Sequence, residues 1–273
     1  MLKDITLGQY FPGNSLLHKL DPRMKLIIGV LYIVLIFLAK GVTGYALVVL
    51  LSFLMVAISR IPFRTILLSL KPLAIVLIFT TIINLFWTGG ETVLVSFWRI
   101  TIYLEALIRA LAMSLRIMLL MVGTSVLLMY TTSPITLTDA IERLLAPLRL
   151  IKIPVHEFAM MMTIALRFIP TLIEETNKII NAQKARGASF ESGSLVQRAK
   201  ALVPVLIPLF ISSFRRAEEL ATAMECRCYR GDNGRTRMTT LHFAARDYMT
   251  AVCFAAMFAG VILLNIYFPV YTI

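Results

Sequence analysis

Five long apolar runs, separated by short polar or charged segments, dominate the chain. They cover residues 26–39, 45–58, 72–87, 98–130 and 249–268. A helix needs roughly 20 residues to cross the hydrocarbon core, and flanking residues extend the two shorter runs. The pattern therefore predicts about five transmembrane helices.

The segment between the fourth and fifth runs starts with a different pattern. Ser133-Pro134 has the composition of a helix start, with an N-cap serine and a proline in the first turn. The apolar residues that follow lie on one helical stripe: Leu137, Ile141, Leu144, Leu145 and Leu148. This spacing predicts an amphipathic helix along or beneath the membrane.

Two longer helices are predicted after it. The first runs from about Pro154 to Arg186, and the second runs from Ser194 to about Tyr229, with Gln197 completing the capping-box spacing. In each, an apolar half precedes a polar half. We expect two rods of 30 or more residues that project from the membrane into the cytoplasm. The fold class is thus an all-α integral membrane protein with about five transmembrane helices and long cytoplasmic helices.

Three regions follow from these patterns. Residues 1–130 form an N-terminal transmembrane region of about four spans, residues 131–242 a cytoplasmic module, and residues 243–273 a C-terminal transmembrane helix. Composition agrees, since hydrophobic residues make up 59% of the chain and charged residues 15%. A soluble domain carries about 25% charged residues.

The net charge of +12 sets the expected orientation. Of the 27 lysines and arginines, 16 lie in residues 130–246. Cytoplasmic loops collect basic residues, so we expect the N-terminus and this segment in the cytoplasm and the C-terminus outside. The basic excess is therefore interpreted as membrane topology and not as a nucleic-acid surface.

No pattern typical of an enzyme occurs in the chain. The G-x-x-x-x-G-K-[ST], H-E-x-x-H and G-x-S-x-G motifs are absent, and the three histidines are isolated in sequence. The three cysteines have no disulfide spacing and are interpreted as reduced thiols. We expect a non-catalytic chain without cofactor or metal, and an intramembrane enzyme ranks below the transport interpretations.

Charged residues in the fourth run mark the alternative function. Glu105, Arg109 and Arg116 share one helical face, and charges at membrane depth often serve function. The favoured interpretation is structural, with a Glu105–Arg109 ion pair and Arg116 bonded inside the bundle. If they instead line a pathway, the chain is a self-sufficient secondary transporter.

The ends of the two long helices carry matching tripeptides. Ala185-Arg186-Gly187 and Cys226-Arg227-Cys228 each place one arginine between small residues. Small neighbours allow a helix end to enter a groove, where a guanidinium pairs with carboxylates or carbonyls. A solvated arginine that favours the helix dipole is the alternative for either tripeptide alone.

Several strings together resemble one family, and the resemblance covers nearly the whole chain. They are Leu20-Asp-Pro-Arg-Met-Lys-Leu26, Thr131-Thr-Ser-Pro134, the stretch 154–170, Ala182-Gln-Lys-Ala-Arg-Gly187 and Arg230-Gly-Asp-Asn-Gly-Arg-Thr-Arg-Met238. The chain resembles the transmembrane T component of energy-coupling factor (ECF) transporters, importers of the ATP-binding cassette type.

The resemblance implies a multi-pass subunit of the prokaryotic cell membrane with two kinds of partner. Two cytoplasmic ATPases, which bind the ATP, would hold Ala185, Arg186, Gly187, Cys226, Arg227 and Cys228 at the tips of coupling helices. A membrane S component would bind a vitamin or metal ion. The second tripeptide departs from the usual Ala-Arg-Gly by its two cysteines. A shared T component is expected, and a dedicated biotin or cobalt/nickel system is the alternative.

Methionine is frequent, with 14 residues in the chain. Thioether side chains repack easily and suit surfaces that accept several partners. We expect Met160, Met161 and Met162 to be a contact for exchangeable S components, while core or lipid packing explains most other methionines.

Overall fold

The computed structural model describes residues 10–87, 89, 92–97, 100–188, 190, 194–231 and 240–267. These residues fall into two compact units. Of the described residues, those in 141–231 belong to the first unit, and those in 10–140 and 240–267 belong to the second. The boundary between the units lies within one helix, α6 (Pro134–Leu144).

The second unit contains a helix for each of the five apolar runs and a further short helix that precedes the third run. They are α1 (Pro22–Leu38), α2 (Val42–Ser59), α3 (Phe63–Leu70), α4 (Ala74–Trp87), α5 (Leu104–Thr124) and α9 (Ala245–Tyr267). A 3-10 turn, Lys71–Leu73, joins α3 to α4, so the third span starts earlier than its apolar run. A π-helical segment, Ser125–Tyr130, extends α5. The expected end of the last span, Phe268, lies outside the described residues.

Six of the described helical segments are long and apolar enough to cross a membrane. Four are in the second unit: α2, α3 with α4, α5 with its π segment, and α9. The other two are the long helices of the first unit, α7 (Val155–Ala185) and α8 (Leu195–Cys226). Helix α1, at 17 residues, is slightly shorter. The all-α membrane fold class is confirmed.

Helices α1, α2 and α5 pack around Tyr32, which is fully buried. Its hydroxyl donates to the carbonyl of Leu119 at 2.9 Å and shares a hydrogen bond of 2.7 Å with Ser52. Gly123 lies against the ring, and a Cβ atom there would overlap it. The small residue therefore permits the close approach of α1 and α5.

A short hairpin corrects the prediction that the fourth span begins near Trp98. Strands β1 (Val93–Phe97) and β2 (Ile100–Tyr103) are antiparallel, with Val95 opposite Ile102, and α5 begins only at Leu104. β-Branched and aromatic residues are frequent in both strands, which favours extended backbone over helix. Trp98 itself lies outside the described residues.

Two of the family-like strings meet in the second unit. The buried Lys25 ammonium donates to the carbonyl of Thr131 at 2.8 Å and to the hydroxyl of Thr132 at 3.1 Å. Close by in sequence, the amide of Asp21 donates to the buried Asp247 carboxylate at 2.8 Å. Arg23 pairs with Asp21 and lies 4.1 Å over the Phe243 ring. The charged start of α1 thus contacts two distant parts of the chain, residues 131–132 and 243–247.

The first unit contains the C-terminal part of α6, a 3-10 segment (Ala146–Ile151), α7 and α8. The predicted capping box is present, with Ser194 accepting from the Gln197 amide and the Gln197 side chain accepting from the Ser194 amide. Pro170 lies inside α7, and Pro204 and Pro208 lie inside α8. The two long predicted helices are confirmed within three residues at each end.

Candidate functional site

The tip of α7 ends in a complete Schellman motif. Arg186 is the C-cap residue, and Gly187 follows with a left-handed φ of 87°. The Gly187 amide donates to the Lys184 carbonyl at 3.0 Å, and the Ala188 amide donates to the Gln183 carbonyl at 3.0 Å. These bonds satisfy carbonyls that the helix end leaves without partners.

The tip of α8 has the same hydrogen bonds around a different residue. Arg227 is the C-cap, and Cys228 takes the left-handed position with a φ of 55°. The Cys228 amide donates to the Glu225 carbonyl at 2.8 Å, and the Tyr229 amide donates to the Met224 carbonyl at 3.1 Å. Glycine is the usual residue at this position because a Cβ atom is strained there.

The two arginines therefore occupy equivalent positions with nearly equal backbone angles. Arg186 has φ −85° and ψ 7°, and Arg227 has φ −91° and ψ 13°. Both side chains are exposed, as are their flanking residues Ala185, Gly187, Cys226 and Cys228. Among the described residues, neither guanidinium takes part in a hydrogen bond or ion pair. Each tip presents a planar set of donors on a rigid helix end.

Helices α7 and α8 pack antiparallel. Glu175 of α7 accepts from the Ser212 hydroxyl at 2.6 Å and pairs with Arg216 of α8. Further along α7, Gln183 contacts Pro204, which lies earlier in α8. Since later positions on one helix meet earlier positions on the other, the C-terminal tips lie at opposite ends of the pair.

The Gln183 contact has a specific cause. Pro208 has no amide hydrogen, so the carbonyl of Pro204, four residues earlier, loses its helical donor. The Gln183 side-chain amide donates to that carbonyl at 3.4 Å. A proline inside α8 thus creates an acceptor that α7 uses one turn before its own tip.

The antiparallel pairing separates the two tips, and the projection of the two helices into the cytoplasm stays a prediction. At 1.5 Å per residue, Arg186 lies about 16 Å beyond Glu175 along α7, and Arg227 lies about 22 Å beyond Ser212 along α8, in opposite directions. Along the helix pair the tips are thus roughly 40 Å apart. Contacts between residues about 40 positions apart set this geometry, and helical periodicity alone does not contain them.

The methionine cluster lies on the first half of α7, at the opposite end of this helix from its own tip. Met160 is half-buried, whereas Met161 and Met162 are more than half exposed. Phe158 beside them is 60% exposed. This surface is available for contact, and the S-component role of the three methionines stays a prediction.

The charged residues of the fourth span make contacts within the second unit. Arg116 donates to the Ala39 carbonyl at 3.4 Å, and its guanidinium lies over the rings of Phe37 and Tyr45. Its expected position inside the bundle is confirmed. Glu105 accepts from the hydroxyl of Thr92 at 2.7 Å.

One polar cluster was not found from the sequence. His156 at the start of α7 bonds the buried Glu142 carboxylate of α6 at 2.8 Å, and Arg149 lies 3.6 Å from the same carboxylate. His156 and Glu142 are 14 residues apart in sequence, on two different helices, and no local sequence pattern predicts their contact. In the described ranges, no group of three histidine, cysteine or acidic residues is arranged to hold a metal, and all three cysteines are free and exposed.

Comparison with known proteins agrees with the motifs. The family model CbiQ, described as cobalt transport protein, matches residues 13–239. "Energy-coupling factor transporter transmembrane protein EcfT" of Clostridium kluyveri is 54% identical over 93% of this chain and 94% of its own length. The proteins of the same name from Ruminiclostridium cellulolyticum and Lactococcus lactis are 53% and 44% identical, over 98% and 94% of this chain and 100% and 96% of their own lengths.

These relatives match the chain nearly from end to end, and its helices are those of a multi-pass membrane protein. Their shared name describes one component of a transporter with other subunits. The chain belongs to the CbiQ family and is a transmembrane T component of an ECF transporter.

Proposed function

We propose that this T component couples two cytoplasmic ATPases to a membrane S component during vitamin or micronutrient uptake. One observation carries the proposal: a single antiparallel helix pair ends, at both extremities, in an exposed C-cap arginine of the same backbone geometry. Two equivalent tips roughly 40 Å apart suit two ATPase subunits, one at each tip.

The tips supply docking chemistry and rigidity. A guanidinium pairs with carboxylates or carbonyl oxygens of a groove through several donors at once. The Schellman bonds hold the backbone at each arginine, so binding loses little backbone entropy. The Glu175–Ser212–Arg216 contacts join the two helices, so ATPase movement at either tip passes to the shared pair. ATP binding and hydrolysis belong to the partners, and this chain is non-catalytic.

The proposed orientation has the N-terminus and residues 131–242 in the cytoplasm and the C-terminus outside. It rests on the concentration of basic residues in that segment. The exposed methionines of α7, Met160, Met161 and Met162, then offer a deformable surface to exchangeable S components. Contact of these side chains with lipid alone in crosslinking experiments would contradict this part of the proposal.

Charge reversal at the tips tests the coupling role. We expect Arg186→Glu and Arg227→Glu each to weaken ATPase capture at least about tenfold, because a desolvated charge pair becomes repulsive. Co-purification and ATP-dependent uptake in vesicles are the measurements. Arg215→Glu is the matched control, since Arg215 is exposed on α8 away from its tip. A double variant that retains both ATPases and uptake contradicts the proposal.

A dedicated metal system is the second candidate within the family, favoured by the matched family description, cobalt transport protein. Native purification with mass spectrometry separates the two. Several different S components bound to this chain support the shared system, whereas one constant substrate-binding subunit supports the dedicated one. Uptake by this chain alone in liposomes without ATP would instead indicate a secondary transporter.

A further inference from the structure

An open groove of about 740 Å³ lies at the C-terminal end of α2, within the second unit. One wall is apolar and is formed by Leu50, Phe53, Leu54 and Ala57. The end of the groove is basic, with Lys19 and Arg60 among its lining residues. Neither the coupling function nor the helix tips involve this site.

The apolar wall has the length of one membrane leaflet. Its residues recur at helical spacing along one face of α2, and Phe53 is 70% exposed. From Leu50 to Arg60 the helix rises about 15 Å, at 1.5 Å per residue. That is about half of the roughly 30 Å hydrocarbon core. An acyl chain lying along this face would reach from the membrane surface to the midplane.

The basic end is fixed by the helix terminus. Arg60 is the C-cap of α2 in the left-handed conformation, with a φ of 56°. The Ser59 hydroxyl donates to the Val56 carbonyl at 2.7 Å and accepts from the Ile61 amide at 3.3 Å, which holds this turn. The backbone at the groove end is therefore constrained, whereas the Arg60 side chain is exposed.

Both cations lack a counter-charge in the part of the chain that the structure describes. Neither Lys19 nor Arg60 forms an ion pair there, and no carboxylate lines the groove. The nearby Asp21 carboxylate is buried and already pairs with Arg23. Two unpaired cations above an apolar wall match a phosphate attached to acyl chains.

We propose that this groove binds one anionic glycerophospholipid, with its phosphate between Lys19 and Arg60 and one acyl chain along Leu50, Phe53, Leu54 and Ala57. The net negative charge of an anionic headgroup offsets one of the two positive charges, whereas a zwitterionic headgroup brings a cation of its own. Each basic residue near a membrane surface contributes about fivefold in affinity for anionic lipid. We expect a preference of at least about fivefold.

Fluorescence quenching by brominated lipids tests the proposal in the complete membrane assembly. Phe53→Trp is introduced with Trp87 and Trp98 replaced by phenylalanine, and the assembly is placed in vesicles with increasing fractions of brominated phosphatidylglycerol or phosphatidylcholine. Half-maximal quenching is expected at an about fivefold lower fraction of the phosphatidylglycerol. Leu263→Trp on α9, far from basic residues in sequence, is expected to show no preference.

Charge removal and salt distinguish a built site from ordinary lipid contact. Lys19→Gln with Arg60→Gln should abolish the preference reported by the Phe53→Trp probe and leave its quenching by phosphatidylcholine unchanged. If that variant fails to fold, the test uses the Phe53→Trp protein with Lys19 and Arg60 unchanged. There, 1 M salt should screen the two cations and reduce the preference for phosphatidylglycerol. Equal quenching of the probe by both lipids overturns the proposal. Absence of quenching by either lipid also overturns it, because it would show that a protein chain covers the groove.

Discussion

The tips of α7 and α8 share their backbone geometry but not their residues. Both end in a C-cap arginine followed by a left-handed residue and two Schellman bonds, yet Gly187 fills the left-handed position in one and Cys228 in the other. A side chain there costs about 1 kcal/mol relative to glycine. The α8 tip keeps the geometry despite this cost, so the presentation of arginine, and not the glycine, is the common feature.

Breaking the support that both tips share should have the largest effect. Glu175→Lys places a cation beside Arg216 and removes the acceptor of Ser212. We expect the helix pair to unfold at a lower temperature, by a modest amount because both residues are partly exposed and the interaction is screened. Thermal unfolding in detergent measures it.

The matching charge swap is the control for that result. Glu175→Arg combined with Arg216→Glu restores an opposite-charge pair and should recover part of the lost stability. Faster hydrogen exchange is expected at both tips in Glu175→Lys. An effect confined to one tip would contradict the shared support.

A β-branched side chain at the left-handed position should destabilise the α7 tip more than the α8 tip. Gly187→Val puts a β-branched residue at a φ of 87° and should destabilise the α7 tip by about 1–2 kcal/mol. Cys228→Val should cost less, because the cysteine already bears most of the left-handed penalty. Hydrogen exchange of the amides of residues 187–188 and 228–229 compares them. Equal losses at both tips would contradict this account.

The smallest expected effect has the opposite sign. Cys228→Gly should stabilise the α8 tip by up to about 1 kcal/mol, because glycine adopts the left-handed region without strain. Slower exchange of the Tyr229 amide, with ATPase binding unchanged, is the expected result. Cys226→Ser, which leaves the left-handed residue untouched, is the control. Faster exchange in Cys228→Gly would show that the thiol stabilises the tip.

Local signals in the sequence predicted much of this structure. Apolar runs located the transmembrane helices, the Ser194–Gln197 spacing located the start of α8, and Gly187 marked the end of α7. Each signal depends on neighbouring residues only, which is why it is readable without a fold.

The parts that were missed depend on distant contacts or on competing local preferences. The Glu175–Arg216 pair and the Lys25–Thr131 bond join residues 41 and 106 positions apart, so periodicity does not contain them. The second strand of the hairpin before α5 lies within an apolar run, where β-branched residues outweigh the membrane-helix pattern. The roles of Arg186 and Arg227 came from the family resemblance, and their binding partners stay a prediction.

Crosslinking from both tips of one chain tests the central claim most directly. The Cys253→Ser and Cys228→Gly substitutions leave Cys226 as the labelling site at the α8 tip. Ala185→Cys adds a labelling site at the α7 tip, and each of the two cysteines carries a thiol-linked photo-crosslinker. After illumination of the purified transporter, the mass of the product counts the ATPase copies on each chain. The account predicts two ATPase copies on doubly labelled chains and one on singly labelled chains. At most one copy on doubly labelled chains, or none, would contradict it.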